Sequence, residues 1–283
     1  MNLQGRLMGI KAQSVRVKKV LKEALQNSLP QKLFFRTTFP QPQERATFYR
    51  GVLTAAADAV GDVDIAARVQ SDKEYAAALS KIPEARTSNL RGKLKDAADA
   101  VVRGAYKIDS FPPDHHVRII KWLLAEEDTL YIFPEDATER TYDDSLPYSH
   151  DAIIMVICMV FFGPKAIAKF DPGLFRGDDG VSRLPATMVA ACATAVEAGL
   201  RGFLLGRDIV QVDFTGSQFI RAYLNHTATL QNLQNNGPAI YNALLVSLYT
   251  SVMGAEGNNA GVSVGTTNCR VNAARVGQAL GAA

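Results

Sequence analysis

The feature that most constrains the fold is an unbroken run of eleven apolar residues, Ala152 to Phe162. Strands in globular proteins usually have about five or six residues, so a run of this length predicts a buried helix. Its β-branched residues leave a central strand as the alternative. A membrane-spanning helix needs roughly 20 apolar residues, so we interpret the run as part of the core. We expect Ser149 to cap the first turn, Asp151 to complement the helix dipole, and Gly163 to end the helix.

Apolar residues elsewhere recur at spacings of three and four, which is typical of helices with one buried face. The prediction is an all-α fold, an irregular bundle of about nine or ten helices around the buried central helix, with at most short extended pieces. One extended piece is expected at 129–133. Pro83 is expected to end a helix. An alanine-rich helix from Pro185 to Phe203 is expected to pack against the central helix.

The tandem prolines Pro112 and Pro113 mark the best internal boundary, because they end one element and restrict the next. We therefore expect a basic helical subdomain at 1–110 and a helical core domain at 111–254. A loose tail rich in glycine and asparagine should follow at 255–283.

The net charge of +3 conceals a strong asymmetry along the chain. Residues 1–108 contain 19 Lys and Arg against 10 Asp and Glu, and residues 109–182 contain 6 against 14. A basic first third beside an acidic middle is typical of an intramolecular electrostatic match, or of a basic face for an acidic partner. The sequence leaves both interpretations open.

The stretch from Ser14 to Leu25 predicts an amphipathic helix with lysines on its polar face. Such a face contacts nucleic-acid phosphate or an anionic membrane surface, or it is simply solvated. The following stretch, Lys32 to Phe39, mixes aromatic and basic residues and is expected to be extended. Its phenylalanines either stack on bases, as in single-strand binders, or pack under neighbouring helices. The candidate nucleic-acid-binding residues are Lys11, Lys18, Lys19, Lys22, Lys32 and Arg36.

The chain contains no phosphate-binding loop, dinucleotide fingerprint, nucleophile elbow or zinc-binding spacing. The acidic loop at 134–147 lacks the ligand spacing and the glycine of a calcium loop. Glu197 is an acid embedded in an apolar helix, suited to catalysis or, more simply, to a local salt bridge. We expect no cofactor and no metal, and the sequence leans against an enzyme without excluding one.

The first residues and the spacing of the cysteines predict where in the cell the protein is located. Met1 to Ala12 has no continuous apolar segment of the kind a secretory signal needs. The three cysteines show no spacing typical of a metal or redox site. We expect an intracellular protein, nuclear or cytoplasmic, without a membrane span.

A succession of helix and turn patterns from His116 to about Leu233 carries a family resemblance. Its segments are Ile119 to Leu124, Tyr131 to Phe133, Tyr148 to Ile153, Val160 to Gly163, Leu184 and Pro185 leading to Ala193 to Val196, and Phe219, Tyr223 and Leu230. This order resembles a domain of unknown function that is widespread in mushroom-forming basidiomycete fungi. The resemblance implies an intracellular protein, and it supplies no activity and no site residues.

Three classes of function remain. The first is a helical interaction module that contacts nucleic acid through its basic helix, Lys11 to Lys22, and the segment Arg86 to Lys95. A protein partner or a second copy of the chain is the other candidate for this class. The second is a self-assembling, capsid-like structural protein. The third is an enzyme without a recognisable motif, for which the candidate residues are His115, His116, His150, Asp114 and Asp151.

Overall fold

The computed structural model describes residues 10, 13–125, 129–136, 139–163, 166–205 and 212–259. The helices confirm the predicted all-α class, and within these residues the only sheet is one short hairpin. No helix in this part of the chain is long and apolar enough to cross a membrane. The chain divides into two compact units, 1–91 (unit 1) and 92–283 (unit 2). The domain boundary expected at 110 and 111 lies further along the chain and stays a prediction.

Unit 1 is built from helices joined by short turns. They are α1 (Val15–Glu23), α2 (Leu29–Phe35), α3 (Arg45–Ala59), α4 (Val63–Ser71) and the first part of α5 (Lys73–Ala105), within which the division falls. The Ser14 hydroxyl accepts a hydrogen bond from the Val17 amide and so caps α1. Val20 and Leu21 of α1 pack in the core of unit 1, which confirms the predicted buried face of this helix.

The chain does not become extended after α1. A π-helical segment, Ala24–Ser28, connects α1 to α2, and its flanking residues keep helical backbone angles. The prediction of an extended stretch is therefore wrong for Lys32 to Phe35. The physical reason is the spacing of Leu29 and Leu33, which places both on one buried helical face.

Pro83 does not end a helix, contrary to expectation, because α5 continues through it. Proline removes one backbone hydrogen bond and costs about 3 kcal/mol in a helix interior. The apolar face stays in phase on both sides, with Leu79 and Leu94 buried. The Thr87 hydroxyl donates to the Pro83 carbonyl and is itself buried. Packing thus offsets the local cost.

Unit 2 contains the rest of α5 and the remaining elements. They are α6 (Pro113–Leu123), β1 (Glu135–Asp136), β2 (Thr141–Tyr142), α7 (Asp151–Ile157), α8 (Ile167–Phe170), α9 (Ala186–Gly202), α10 (Gly216–Asn236) and α11 (Pro238–Asn259). The strands pair antiparallel, with Glu135 opposite Tyr142. A 3₁₀ turn at Leu130–Ile132 replaces the extended piece expected at 129–133. Since α11 runs to Asn259, the predicted tail begins as helix, and 260–283 lie outside the described residues.

The apolar run from Ala152 to Phe162 is helical, as predicted. It forms α7 and a second π-helical segment, Cys158–Phe162, and the strand alternative is wrong. The cap is His150 rather than Ser149, because His150 Nδ1 accepts a hydrogen bond from the Ala152 amide at 3.0 Å. The predicted contact of α9 with α7 is confirmed.

The most thoroughly buried part of unit 2 is α9, with fourteen of its seventeen residues buried. Its small residues let neighbouring helices approach. A Cβ on Gly199 would lie 2.9 Å from Cγ2 of Val102 on α5 and 3.5 Å from the backbone of Ala98. A side chain at position 199 would therefore force the α5 and α9 segments of unit 2 apart. This packing positions Glu197, the one acid of α9.

Candidate functional site

The structure describes five of the six predicted phosphate-binding residues, and all five lie in unit 1. Lys11 lies outside the described residues. On α1, Lys19 and Lys22 are exposed and Lys18 is half-buried. On α2, Lys32 is half-buried, and Arg36, which caps the end of the helix, is exposed.

These cations lie on two helices, α1 and α2, rather than along the face of one helix. Lys18 and Lys22 are four residues apart and share a face of α1, and we call them the α1 pair. Lys32 and Arg36 are also four residues apart, at the end of α2, and we call them the α2 pair. Lys32 follows Lys22 by ten positions, and the π-helical segment Ala24–Ser28 lies between them. The described candidate residues therefore belong to two different helices.

Arg16, on the same helix as the α1 pair, is in contrast matched by acids. Its guanidinium contacts Asp62 at 2.5 Å and Asp64 at 2.9 Å, at the start of α4. These hydrogen bonds raise the pKa of Arg16, and the same contact lowers the pKa of Asp62. The charge of Lys19 also contributes to lowering the pKa of Asp62. Part of the basic face is thus neutralised within unit 1.

Among the residues that the structure describes, the α1 and α2 pairs have no such acidic partner. Within the described part of the chain, no carboxylate lies within 4.0 Å of Lys18, Lys22, Lys32 or Arg36. The Lys32 ammonium lies against α3, 2.5 Å from the position that a Cβ on Gly51 would occupy. Burial, and then the positive charge of Arg36, lower the pKa of Lys32. Lys32 and Arg36 therefore repel each other, and no described carboxylate offsets that repulsion.

The phenylalanines near the α2 pair differ in their exposure to solvent. Phe34 and Phe39 are 3 % and 1 % exposed and pack in the core, as the packing interpretation predicted. Phe35 is 62 % exposed on the last turn of α2. Lys32 lies one turn before Phe35, and Arg36 follows it directly. An aromatic ring is thus exposed to solvent at the end of α2, with Lys32 and Arg36 close to it in sequence.

Unit 2 contains a buried polar network that the sequence did not reveal as a unit. The Tyr131 hydroxyl lies 2.5 Å from His226 Nε2 and donates to Glu197 Oε2 at 3.1 Å. On the other side of the imidazole, the Tyr148 hydroxyl lies 3.2 Å from His226 Nδ1. The Arg201 guanidinium donates to Glu197 Oε1 at 2.8 Å. This Tyr148–His226–Tyr131–Glu197 chain is called the buried network below.

The hydrogen-bond partners assign the protons of the buried network. Burial raises the pKa of Tyr131 and of Tyr148, so both hydroxyls keep their protons. Burial lowers the pKa of His226 to about 4, so its imidazole is neutral at pH 7. Because Tyr131 donates its proton to Glu197, His226 Nε2–H donates to Tyr131, and Nδ1 accepts from Tyr148. The chain of donors runs in one direction and ends at the carboxylate that Arg201 holds.

A second buried cluster adjoins the buried network. His150 Nε2 lies 2.6 Å from Glu135 Oε2, and its ring stacks on Tyr106 with centroids 3.9 Å apart. Since His150 Nδ1 accepts from the Ala152 amide, Nε2 carries the proton that Glu135 accepts. The Tyr106 hydroxyl donates to the Tyr131 carbonyl at 2.6 Å. The two clusters thereby share one backbone turn.

Left-handed backbone angles border these clusters. Tyr148 has a φ of 61°, Lys107 next to Tyr106 has 50°, and Thr129 just before the Tyr131 turn has 43°. A positive φ is costly for residues other than glycine, asparagine or aspartate. The surrounding hydrogen bonds hold the backbone in this form, which directs the tyrosines inward.

The residues of the buried network are almost completely shielded from solvent. Tyr131, Tyr148 and His226 are at most 3 % exposed, and Glu197 is 7 % exposed. The local salt bridge expected for Glu197 is therefore present, with Arg201 as the partner. The described residues include no group of three or more His, Cys, Asp or Glu in a metal-binding arrangement. The sequence pattern that could have identified His226 as a buried residue is its position on the apolar face of α10, between Tyr223 and Leu230.

The fold and the buried network define a helical domain with a hydrogen-bonded polar core, and the comparisons place it in a family. Residues 25–233 match the family model of a domain of unknown function, DUF6532, and the chain belongs to that family. The match ends where the sequence resemblance ended and starts much earlier than His116. It includes the buried network and the α2 pair, whereas the α1 pair precedes it. Neither the curated proteins nor the solved structures contain a match.

Proposed function

We propose that the protein is an intracellular helical interaction module, nuclear or cytoplasmic, that binds the phosphates of nucleic acid through unit 1. The observation that carries the proposal is the presence of two like-charged pairs, each one helical turn apart, without a partner carboxylate in the described residues. An anionic polymer would supply the missing counter-charges.

The placement of the available acids supports this interpretation. The carboxylates of unit 1 that form salt bridges contact Arg16, Arg45 and Arg68. Like charges at i and i+4 destabilise a helix by about 0.2–0.5 kcal/mol per pair. The repulsion within each pair opposes folding, and binding a phosphate chain would offset it.

The overall charge of unit 1 points in the same direction. Residues 1–91 contain 15 Lys and Arg against 8 Asp and Glu, a net charge of +7. Residues 92–283 contain 16 against 20, a net charge of −4. A basic unit attracts polyanions over distances of about 10 Å at moderate salt. We therefore expect the nucleic acid to bind to unit 1.

The test is fluorescence anisotropy of a labelled oligonucleotide of about 20 nucleotides with the full-length protein, between about 50 and 200 mM salt. The logarithm of the affinity should fall linearly with the logarithm of the salt concentration, by about 0.7 for each cation that contacts a single strand. The double variant Lys18→Gln/Lys22→Gln should reduce the magnitude of this slope by about 1.4. Lys32→Gln/Arg36→Gln should do the same.

The matched control is Lys73→Gln/Lys81→Gln, which removes the same charge from exposed positions of α5 in unit 1. It should leave the slope within error of the unsubstituted protein. Absence of binding at about 50 mM salt, or equal slopes for all three double variants, would contradict the proposal. Light scattering of the same samples tests the other expected partners, a second copy of the chain or a copurifying protein.

A further inference from the structure

We propose that Phe35 is a base-stacking platform and that the nucleic acid bound by unit 1 is single-stranded. The inference deepens the proposed function and rests on it. Its site is the exposed ring of Phe35 with the two cations of the α2 pair beside it.

The exposure of Phe35 is the first observation. The ring is 62 % exposed, although Phe34 and Phe39 beside it are almost completely buried. The core of unit 1 therefore takes the neighbouring rings and leaves this one outside. A large exposed aromatic group loses the favourable free energy of burial unless a ligand covers it.

The chemistry around the ring indicates the kind of ligand. Lys32 lies three residues before Phe35, a spacing at which side chains of a helix are neighbours, and Arg36 is the next residue of the chain. No described carboxylate lies within ion-pair distance of either cation. A purely apolar partner would leave two repelling cations at the edge of the contact. A ligand with flat π faces and a phosphate backbone satisfies both requirements.

A single strand meets these requirements and a duplex does not. In a duplex the base faces are stacked on each other, so a protein ring reaches them only by unstacking the helix. Unpaired bases stack on aromatic side chains without sequence preference, while basic residues follow the backbone. Phe35 with Lys32 and Arg36 is the minimal form of such a site.

The experiment separates base stacking from phosphate binding. The full-length protein is titrated against labelled oligothymidylate of about 12 nucleotides, an abasic strand with the same number of phosphates, and a duplex of equal length. The unsubstituted protein should prefer oligothymidylate over the abasic strand by about 5- to 150-fold. Phe35→Ala should abolish this preference and leave the affinity for the abasic strand and the salt slope unchanged. Phe35→Trp should retain the preference.

The control is Val15→Ala, which truncates another strongly exposed apolar side chain of unit 1. It should keep the full preference for bases. Equal affinity of the unsubstituted protein for oligothymidylate and the abasic strand, or an undiminished preference in Phe35→Ala, would overturn this inference and leave the proposed function standing. Absence of binding to all three nucleic acids would overturn both.

Discussion

The polar side chains of unit 1 and unit 2 differ in burial and in whether the structure describes a partner for them. In unit 2, Glu197 and His226 are buried, and each has its hydrogen-bond partners. In unit 1, the exposed or half-buried Lys32 and Arg36 lie beside each other with no described acid between them. Leaving a buried polar group unsatisfied costs about 1–3 kcal/mol, so folding itself dictates the arrangement in unit 2. Surface charge has no such constraint, so the pattern in unit 1 is open to selection by a ligand.

The largest expected effect concerns pH and the buried network. Burial lowers the pKa of His226 from its ordinary 6.5 to about 4, so the folded state favours the neutral imidazole. Stability from this group is present above pH 6.5 and is lost as the pH falls through about 4. The free energy of unfolding should drop by about 3 kcal/mol between pH 7 and pH 4, as measured by urea denaturation.

The comparison variant for this titration is His226→Gln, which should show a smaller loss over the same pH range. Burial raises the pKa of the nearby Asp151, which acts in the opposite direction, and the difference between the two proteins removes its contribution. His115→Gln, at a half-exposed histidine of α6, should retain the full loss. Equal pH dependence in the unsubstituted protein and His226→Gln would show that the imidazole is not buried as described.

A smaller effect is expected when the centre of the buried network is removed. Tyr131→Phe leaves Glu197 Oε2 without its donor and His226 Nε2–H without its acceptor. The free energy of unfolding at pH 7 should fall by about 1–3 kcal/mol. Tyr142→Phe, at an exposed tyrosine of β2, should change it by less than about 0.5 kcal/mol. If Tyr131→Phe lowered the free energy of unfolding as little as Tyr142→Phe, the buried network of unit 2 would not contribute to stability as described.

The sequence predicted those parts of the fold that depend on local periodicity. The apolar run of α7, the buried stripe of α1 and the contact of α9 with α7 follow from spacing and composition, and all are confirmed. Spacing failed where packing overrides a local preference. Pro83 remains inside α5 because its apolar face is continuous, and α2 replaces an extended segment for the same reason.

The sites were less predictable, because they depend on residues far apart in sequence. Tyr131 and His226 are 95 residues apart, and no pattern indicates that they meet. The candidate lysines were visible from the charge run, but Arg16 and Asp62 are 46 residues apart, so the sequence did not reveal which cations are neutralised. The exposure of Phe35 likewise depends on how the end of α2 packs.

The most direct test of the account is one substitution, Lys18→Glu, measured for both stability and binding. It replaces a like-charged pair by a Glu–Lys pair at i and i+4 near the start of α1. We expect the free energy of unfolding to rise by about 0.5 kcal/mol, while affinity for a single strand falls at least about tenfold at low salt. Lys121→Glu, the same charge change on α6 in unit 2, should leave binding nearly unchanged. Unchanged binding in Lys18→Glu, or an equal loss in Lys121→Glu, would contradict the claim that the α1 and α2 pairs of unit 1 bind a polyanionic ligand.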